Sequence, residues 1–165
     1  MNERYEQLAN FSKVLLSTAC LEDGLRLISK YTKKMIAAER TSIFIHDAKH
    51  GRLWTVLADE KEKIVIPYDV GLVGQTMRTQ KGVLENEPYN NANFLADVDM
   101  ETGYYTQSIL TAPIFNSKRR IIGVLELLNK KGGFSNDDKI FIDFFAHYIS
   151  GYIELTQLYT PKNAT

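Results

Sequence analysis

A glutamate interrupts the most apolar stretch of this chain. In Ile121-Ile122-Gly123-Val124-Leu125-Glu126-Leu127-Leu128-Asn129-Lys130 the apolar run reads as a strand covered on both faces. By two-residue alternation Glu126 points the same way as Ile122, Val124 and Leu128. A carboxylate in that company is costly unless a backbone amide, a neighbouring polar side chain or the N–H of a bound ligand donates to it. The strand is therefore a candidate pocket wall; the competing reading is a carboxylate at a strand end, facing water. A second feature is Val70-Gly71-Leu72-Val73-Gly74 ahead of the helix-compatible Gln75 to Thr79. Its paired glycines suit a strand-to-helix turn. The first N–H groups of such a helix lack intrahelical acceptors and suit a phosphate, although ordinary turns share the pattern.

Other chemistry finds little to work with. Cys20 is the single cysteine, which excludes an internal disulfide, CxxC redox chemistry and cysteine-rich zinc sites. It reads as a small, buried or half-buried apolar residue. His46, His50 and His147 are scattered over strand, turn and helix and read as surface or packing residues, not metal ligands. No Ser-His-Asp, paired-acid or metal spacing is present, so an enzyme is not expected, and no metal or prosthetic group. Haem or bilin is disfavoured by the position of Cys20 and the lack of a well-placed histidine. Trp54 reads as packing.

The totals bound the class of the chain. At 165 residues and 44% apolar, the chain is sized for one domain, 1–165, with a real core. Twenty basic residues balance twenty acidic ones, giving no electrostatic reason to bind nucleic acid or a membrane surface. No apolar run reaches the ~18 residues of a membrane span, and Met1-Asn2-Glu3-Arg4 lacks a signal peptide's apolar core. The lone cysteine fits a reducing compartment, so a cytoplasmic location is expected.

The elements that must position Glu126 can be read from periodicity. Tyr5, Leu8, Ser12, Leu15 and Ala19 form a narrow helical stripe; Leu25, Ile28, Tyr31 and Met35 mark a second helix. From residue 40 the period changes to two, with strands over Thr41–His46, Leu53–Leu57, Lys63–Ile66 and Ser108–Phe115. Asp47–Gly51 and Asn116–Arg120 are hairpin turns. The polar stretch from Asn86 to Gln107 reads as a lid with one or two short helical turns. The last helix starts at the N-cap Ser135, with Asp138 at its third position, and carries Phe141, Phe145, Tyr148, Tyr152, Leu155 and Tyr159 in a stripe. Residues past about 150 are expected to project from the domain.

This order resembles a GAF domain over residues 10–158, and is most similar to the cyclic-nucleotide-binding GAF domains of phosphodiesterases and bacterial adenylyl cyclases. The resemblance is carried by Glu39-Arg40-Thr41-Ser42-Ile43-Phe44, Ile64-Val65-Ile66-Pro67, Gly71-Leu72-Val73-Gly74, Val98-Asp99 through Thr102-Gly103-Tyr104, Ile109-Leu110 with Ala112-Pro113-Ile114, Ile122-Gly123-Val124, and the signature Asn129, Lys130, Phe134, Asp138. It implies an α+β sandwich: a central antiparallel sheet of about six strands, terminal helices on one face, a lidded ligand pocket on the other. It further implies ligand contacts at Ser42 and Asp59 for the base, at the Leu72 and Val73 amides for the cyclic phosphate, at the lid residues Asp99, Thr102 and Thr106, and at Glu126. Lys130 and Asp138 are implied to form a structural ion pair.

The implied function is a cytoplasmic signalling sensor that binds cAMP or cGMP and passes the event to a covalently linked output domain. Residues 1–20 and 150–160 would serve as helical connections and dimerisation helices of a homodimer. The chain departs from the pattern at Lys139, usually Glu, at Ala58, often an aromatic, and at the bulky Leu72-Val73. Those departures favour the alternative, a ligand-free dimerisation and relay module or a sensor for another small molecule.

Overall fold

A long antiparallel pairing organises the chain. Strands β1 (Ala38–Asp47) and β6 (Ile121–Lys130) run side by side from Ala38 opposite Lys130 to Ile45 opposite Gly123. Gly123 permits this approach, because a Cβ there would lie 2.3 Å from the Phe44 carbonyl oxygen. The hairpin partner β2 (Arg52–Val56) and then β3 (Lys63–Pro67) extend the sheet on one side; β5 (Ile109–Phe115) and the short β4 (Leu84–Glu85) extend it on the other. The order is β3-β2-β1-β6-β5-β4, with every neighbouring pair antiparallel. The computed structural model describes residues 2–18, 20–56 and 63–159; Ala19, Ala58 and Asp59 therefore lie outside the described residues.

The two faces of the sheet carry different loads. Helices α1 (Asn2–Leu16), α2 (Leu21–Ile36) and α5 (Asn136–Tyr159) cover one face. There Leu8, Phe11, Leu25, Ile28, Ile142, Phe145 and Ile149 pack on Ile43, Ile45, Leu110, Ala112, Leu125 and Leu127. On the other face α3 (Gly71–Thr79) places Val73 and Met77 against Phe44, Leu53 and Val124. Alternation along β6 thus separates Leu125 and Leu127, on the helix side, from Val124 on the α3 side. The connection from α3 to β5 holds a 3-10 turn (Pro88–Asn90) and the short helix α4 (Ala96–Thr102), in line with a lid containing short helical turns.

Three expectations need correction. Cys20 is exposed, not buried: it caps α2 through its backbone, its carbonyl accepting from Gly24 N at 3.0 Å and Tyr152 Oη at 3.3 Å, while the thiol points outward. Helix α5 does not leave the domain at 150. Ile153 is fully buried, Tyr152 Oη donates to Thr18 O at 2.9 Å, and Glu154 accepts from Ser117 N and Oγ at 2.8 and 2.7 Å. The outward turn comes later, at exposed Leu155 and Leu158. The stripe of α1 is also shifted. Leu8, Phe11 and Leu15 face inward, with Phe11 lying 4.8 Å from the Tyr31 ring, whereas Tyr5 is largely exposed against the edges of Phe141 and Phe144.

Candidate functional site

Three adjoining parts make up the lid face: a polar row across the sheet, the start of α3, and the closing segment 86–108. The row runs Ser42–Glu126–Thr111 in register across β1, β6 and β5. Directly opposed residues on one face place their Cβ atoms about 4.5–5.5 Å apart. Thr111 is fully buried and committed: its hydroxyl accepts from Val83 N at 2.8 Å and pairs with Thr76 Oγ1 at 2.6 Å. Glu126 makes no hydrogen bond or ion pair among the described residues. It retains some accessible surface, yet burial pushes its carboxyl up to about 7. Dense surroundings combined with residual accessible surface suit a group that lines a cavity. Thr55 adds a further polar atom. It is buried without a partner and shares by alternation the side of Leu53.

Helix α3 delivers an open N-terminus to this face. Val70 caps it without a side-chain hydrogen bond, and no acidic residue occupies the first turn. Gly74 N closes the first turn on Val70 O at 2.9 Å, which leaves the Leu72 and Val73 amides at positions with no intrahelical acceptor. The glycines are needed here. Gly71 has φ +66°, and a Cβ on Gly74 would meet the Asp69 carbonyl carbon at 2.3 Å. Because Thr76 bonds Thr111, the helix start lies only about one turn from the Glu126 row.

The lid closes on itself through Asp99. This buried carboxylate accepts from Thr106 Oγ1 at 2.8 Å, Thr106 N at 2.6 Å and Tyr89 Oη at 2.8 Å. Burial, and then the Asp99 charge, push the Tyr89 hydroxyl up to about 12. Tyr89 stacks on Tyr105 at 5.2 Å and meets the edge of Phe94 at 5.0 Å. Thr102 is exposed, its hydroxyl donating to Val98 O at 2.7 Å.

A model of one family matches residues 21–153, and its description is GAF domain. The chain belongs to the GAF domain family. Among curated relatives, it is 35% identical over 89 residues to the cGMP-specific 3',5'-cyclic phosphodiesterases of Drosophila pseudoobscura pseudoobscura and Drosophila melanogaster. That match spans 54% of this chain but 8% of either relative, so it concerns a small part of those proteins. Among solved structures, the GAF domain of an Acinetobacter phosphoenolpyruvate-protein phosphotransferase superposes with a TM-score of 0.78 at 18% identity, covering 96% of this chain and 97% of that one. A free methionine-R-sulfoxide reductase from Neisseria meningitidis gives 0.79 at 16%, covering 95% and 92%. The shared architecture is the GAF fold.

In this GAF domain the signature residues form a clasp. Asn129, at φ +55°, accepts from Gln107 N and Ser108 N at 2.7 and 3.2 Å and donates to Tyr105 O and Glu39 Oε2 at 2.8 and 3.0 Å. Lys130 Nζ reaches Asp138 Oδ2 at 2.5 Å, the ion pair that the resemblance implied. Asp138 also takes Arg4 Nη2 at 3.1 Å and Ser135 N at 3.0 Å, and its own N–H bonds Ser135 Oγ at 3.1 Å, completing a capping box. Lys139 pairs instead with Asp143 at 2.6 Å.

Of the residues singled out from sequence, Ser42, Glu126, Leu72 and Val73 share the lid face; Asp99 and Thr106 bond one another; Thr102 stands exposed; Asp59 is outside the described residues. Sequence reading missed Tyr89, Thr76, Thr111 and Asn86. Asn86 Oδ1 accepts from Phe134 N at 2.9 Å and its Nδ2 donates to Phe134 O at 3.0 Å, joining lid to signature. The polar run around Asn86 was visible, but its partner lies 48 residues away.

Proposed function

We propose that this GAF domain is a non-catalytic regulatory sensor that holds a purine cyclic nucleotide between the open start of α3 and the Ser42–Glu126 row. Its phosphate takes the Leu72 and Val73 amides, and its base edge takes Glu126. The observation that carries this reading is Glu126 itself, a carboxyl raised by burial with no partner among the described residues, beside a helix start that no capping side chain satisfies. A nucleotide supplies both missing halves, an anion for the helix and polar hydrogens for the carboxyl. The partial likeness to cGMP-specific phosphodiesterases points the same way. Binding orders the segment around Asp99, and the clasp at Asn129 and Asp138 passes the change to α1 and α5 and so to a linked output domain. Signal arises to the extent that affinity differs between the two lid states.

Thermal unfolding with excess cAMP, cGMP and non-cyclic GMP tests it. Ligand at 100 times its dissociation constant adds about 2.7 kcal/mol, a rise of several degrees. A shift with a cyclic nucleotide and none with GMP supports the reading; no shift with any moves the function to a dimerising relay. That second reading has its own support in the exposed Val14 and Leu16 of α1 and Ile140, Phe144, Leu155 and Leu158 of α5. It requires a dimer in sedimentation velocity, and a concentration-independent monomer mass would remove it.

A further inference from the structure

Glu126 has a choice that Thr76, Thr111 and Asp99 on the lid face have already made. Thr76 carries one hydroxyl proton; in the arrangement that directs it at Leu72 O, 3.0 Å away, the Thr111 hydroxyl donates to Thr76 across their 2.6 Å contact. In that arrangement neither has a proton left for Glu126. Four charged groups on the surrounding elements are engaged elsewhere. On β1, the Arg40 guanidinium lies 3.9 Å from the Tyr104 ring centre and Glu39 accepts from Tyr104 Oη. On α3, Arg78 bonds Asp69 O. In the lid, Asp99 is taken by Thr106 and Tyr89. β5 offers only Ile109, Thr111 and Pro113 on this side of the register. Ser42, directly opposite, has a hydroxyl for which the described residues supply no hydrogen bond, and Thr55 on β2 is likewise unpartnered.

We infer that the protonation state of Glu126 selects the purine: the ionised carboxylate takes guanine, the protonated carboxyl takes adenine, and pH sets the preference of the domain. The inference rests on the cyclic-nucleotide reading above. An ionised carboxylate is an acceptor on both oxygens, and guanine presents two adjacent donors, N1–H and the N2 amino group, with its O6 left for the Ser42 hydroxyl. A protonated carboxyl is one donor beside one acceptor, and adenine presents the complement, acceptor N1 beside the N6 amino donor. Each mismatch sets two acceptors or two donors face to face. The carboxyl's midpoint, about 7 by burial alone, puts both forms within reach near neutrality. Proton balance follows: guanine binding to the protonated form releases one proton to solvent, and adenine binding to the ionised form takes one up.

The test is the pair of dissociation constants for cGMP and cAMP, measured by isothermal titration calorimetry on the whole chain from about pH 6 to about pH 8. The cGMP-over-cAMP affinity ratio is expected to rise about tenfold per pH unit. Glu126→Gln fixes one acceptor beside one donor, so it is expected to favour cAMP at every pH with a flat ratio. A flat ratio in the wild type, with both nucleotides binding, overturns the switch and leaves the nucleotide reading standing. Binding of only one of the two at every pH overturns the switch and leaves the nucleotide reading standing, whereas binding of neither removes both. A ratio that still titrates in Glu126→Gln assigns the proton to another group and also overturns the switch. Should Glu126→Gln not fold, proton release by the wild type decides, measured in buffers of differing ionisation enthalpy. About one proton leaves with cGMP at low pH and about one enters with cAMP at high pH, and the absence of both sinks the idea.

Discussion

The middle and the far end of β6 treat their polar groups in opposite ways. At the far end of β6, Asn129 and Lys130 join the facing Asp138 in a connected network: Asp138 alone holds Lys130, Arg4 and Ser135. Burial raises its carboxyl, but the Lys130 contact and the Ser135 amide more than offset that and hold it below the usual carboxylate range. Mid-strand, Glu126 meets burial with nothing among the described residues to offset it, and its carboxyl is pushed up. The contrast separates structural acids from receptive ones: a satisfied buried carboxylate stabilises the fold, whereas an unsatisfied one destabilises it until something binds.

The largest test of that contrast is Asp138→Ala. It strands Lys130 and Arg4 near a buried position and removes the carboxylate half of the α5 capping box, so a loss of about 3–5 kcal/mol is expected in urea unfolding. The sign with pH is fixed by the lowered carboxyl. Its contribution is present above the unfolded value of 3.8 and is lost as pH falls through the lower folded value. A wild type whose stability is insensitive to acid below about pH 4 would break the comparison. Asn129→Ala comes next at about 3 kcal/mol, because it orphans the Gln107 and Ser108 amides and places alanine at φ +55°. Hydrogen exchange should then speed up across residues 105–108.

Glu126→Gln runs the other way. The folded carboxyl, raised above the unfolded value of 4.5, contributes most below that value, and the contribution is lost as pH rises through about 7. Removing the charge should therefore leave ligand-free stability near pH 5 almost unchanged and raise it at pH 8 by the order of 2 kcal/mol. Destabilisation at pH 8 would mean that the carboxylate has a donor, and the middle and far end of β6 would no longer differ.

Much of this was legible because it is local. Alternation exposed Glu126, the glycine pair placed the start of α3, and Ser135 with Asp138 announced the cap of α5. What stayed hidden is set by contacts distant in sequence. Phe11 and not Ser12 faces the core because α1 packs against Tyr31 and Phe145. Cys20 looks apolar by type, yet a turn that spends its backbone on Tyr152 turns the thiol outward. The row partners of Glu126 depend on register, and Thr111 becomes unavailable only through Thr76, 35 residues earlier. Glu126 was thus identifiable as costly from sequence, but not as unpartnered.

The smallest expected effect separates a lid lock from a ligand contact. In Thr106→Val the shape is kept and one hydrogen bond to Asp99 Oδ1 is lost, while Thr106 N and Tyr89 still donate to the other oxygen. A stability loss of about 1 kcal/mol is expected. If Thr106 acts by holding the lid, nucleotide affinity should fall by no more than that, about fivefold, with the cGMP-to-cAMP ratio unmoved. A much larger loss of affinity at unchanged stability would mean that the Thr106 hydroxyl touches the ligand directly. It would then join Glu126 on the receptive side of the comparison, and Asp99 would need a new donor in the bound state.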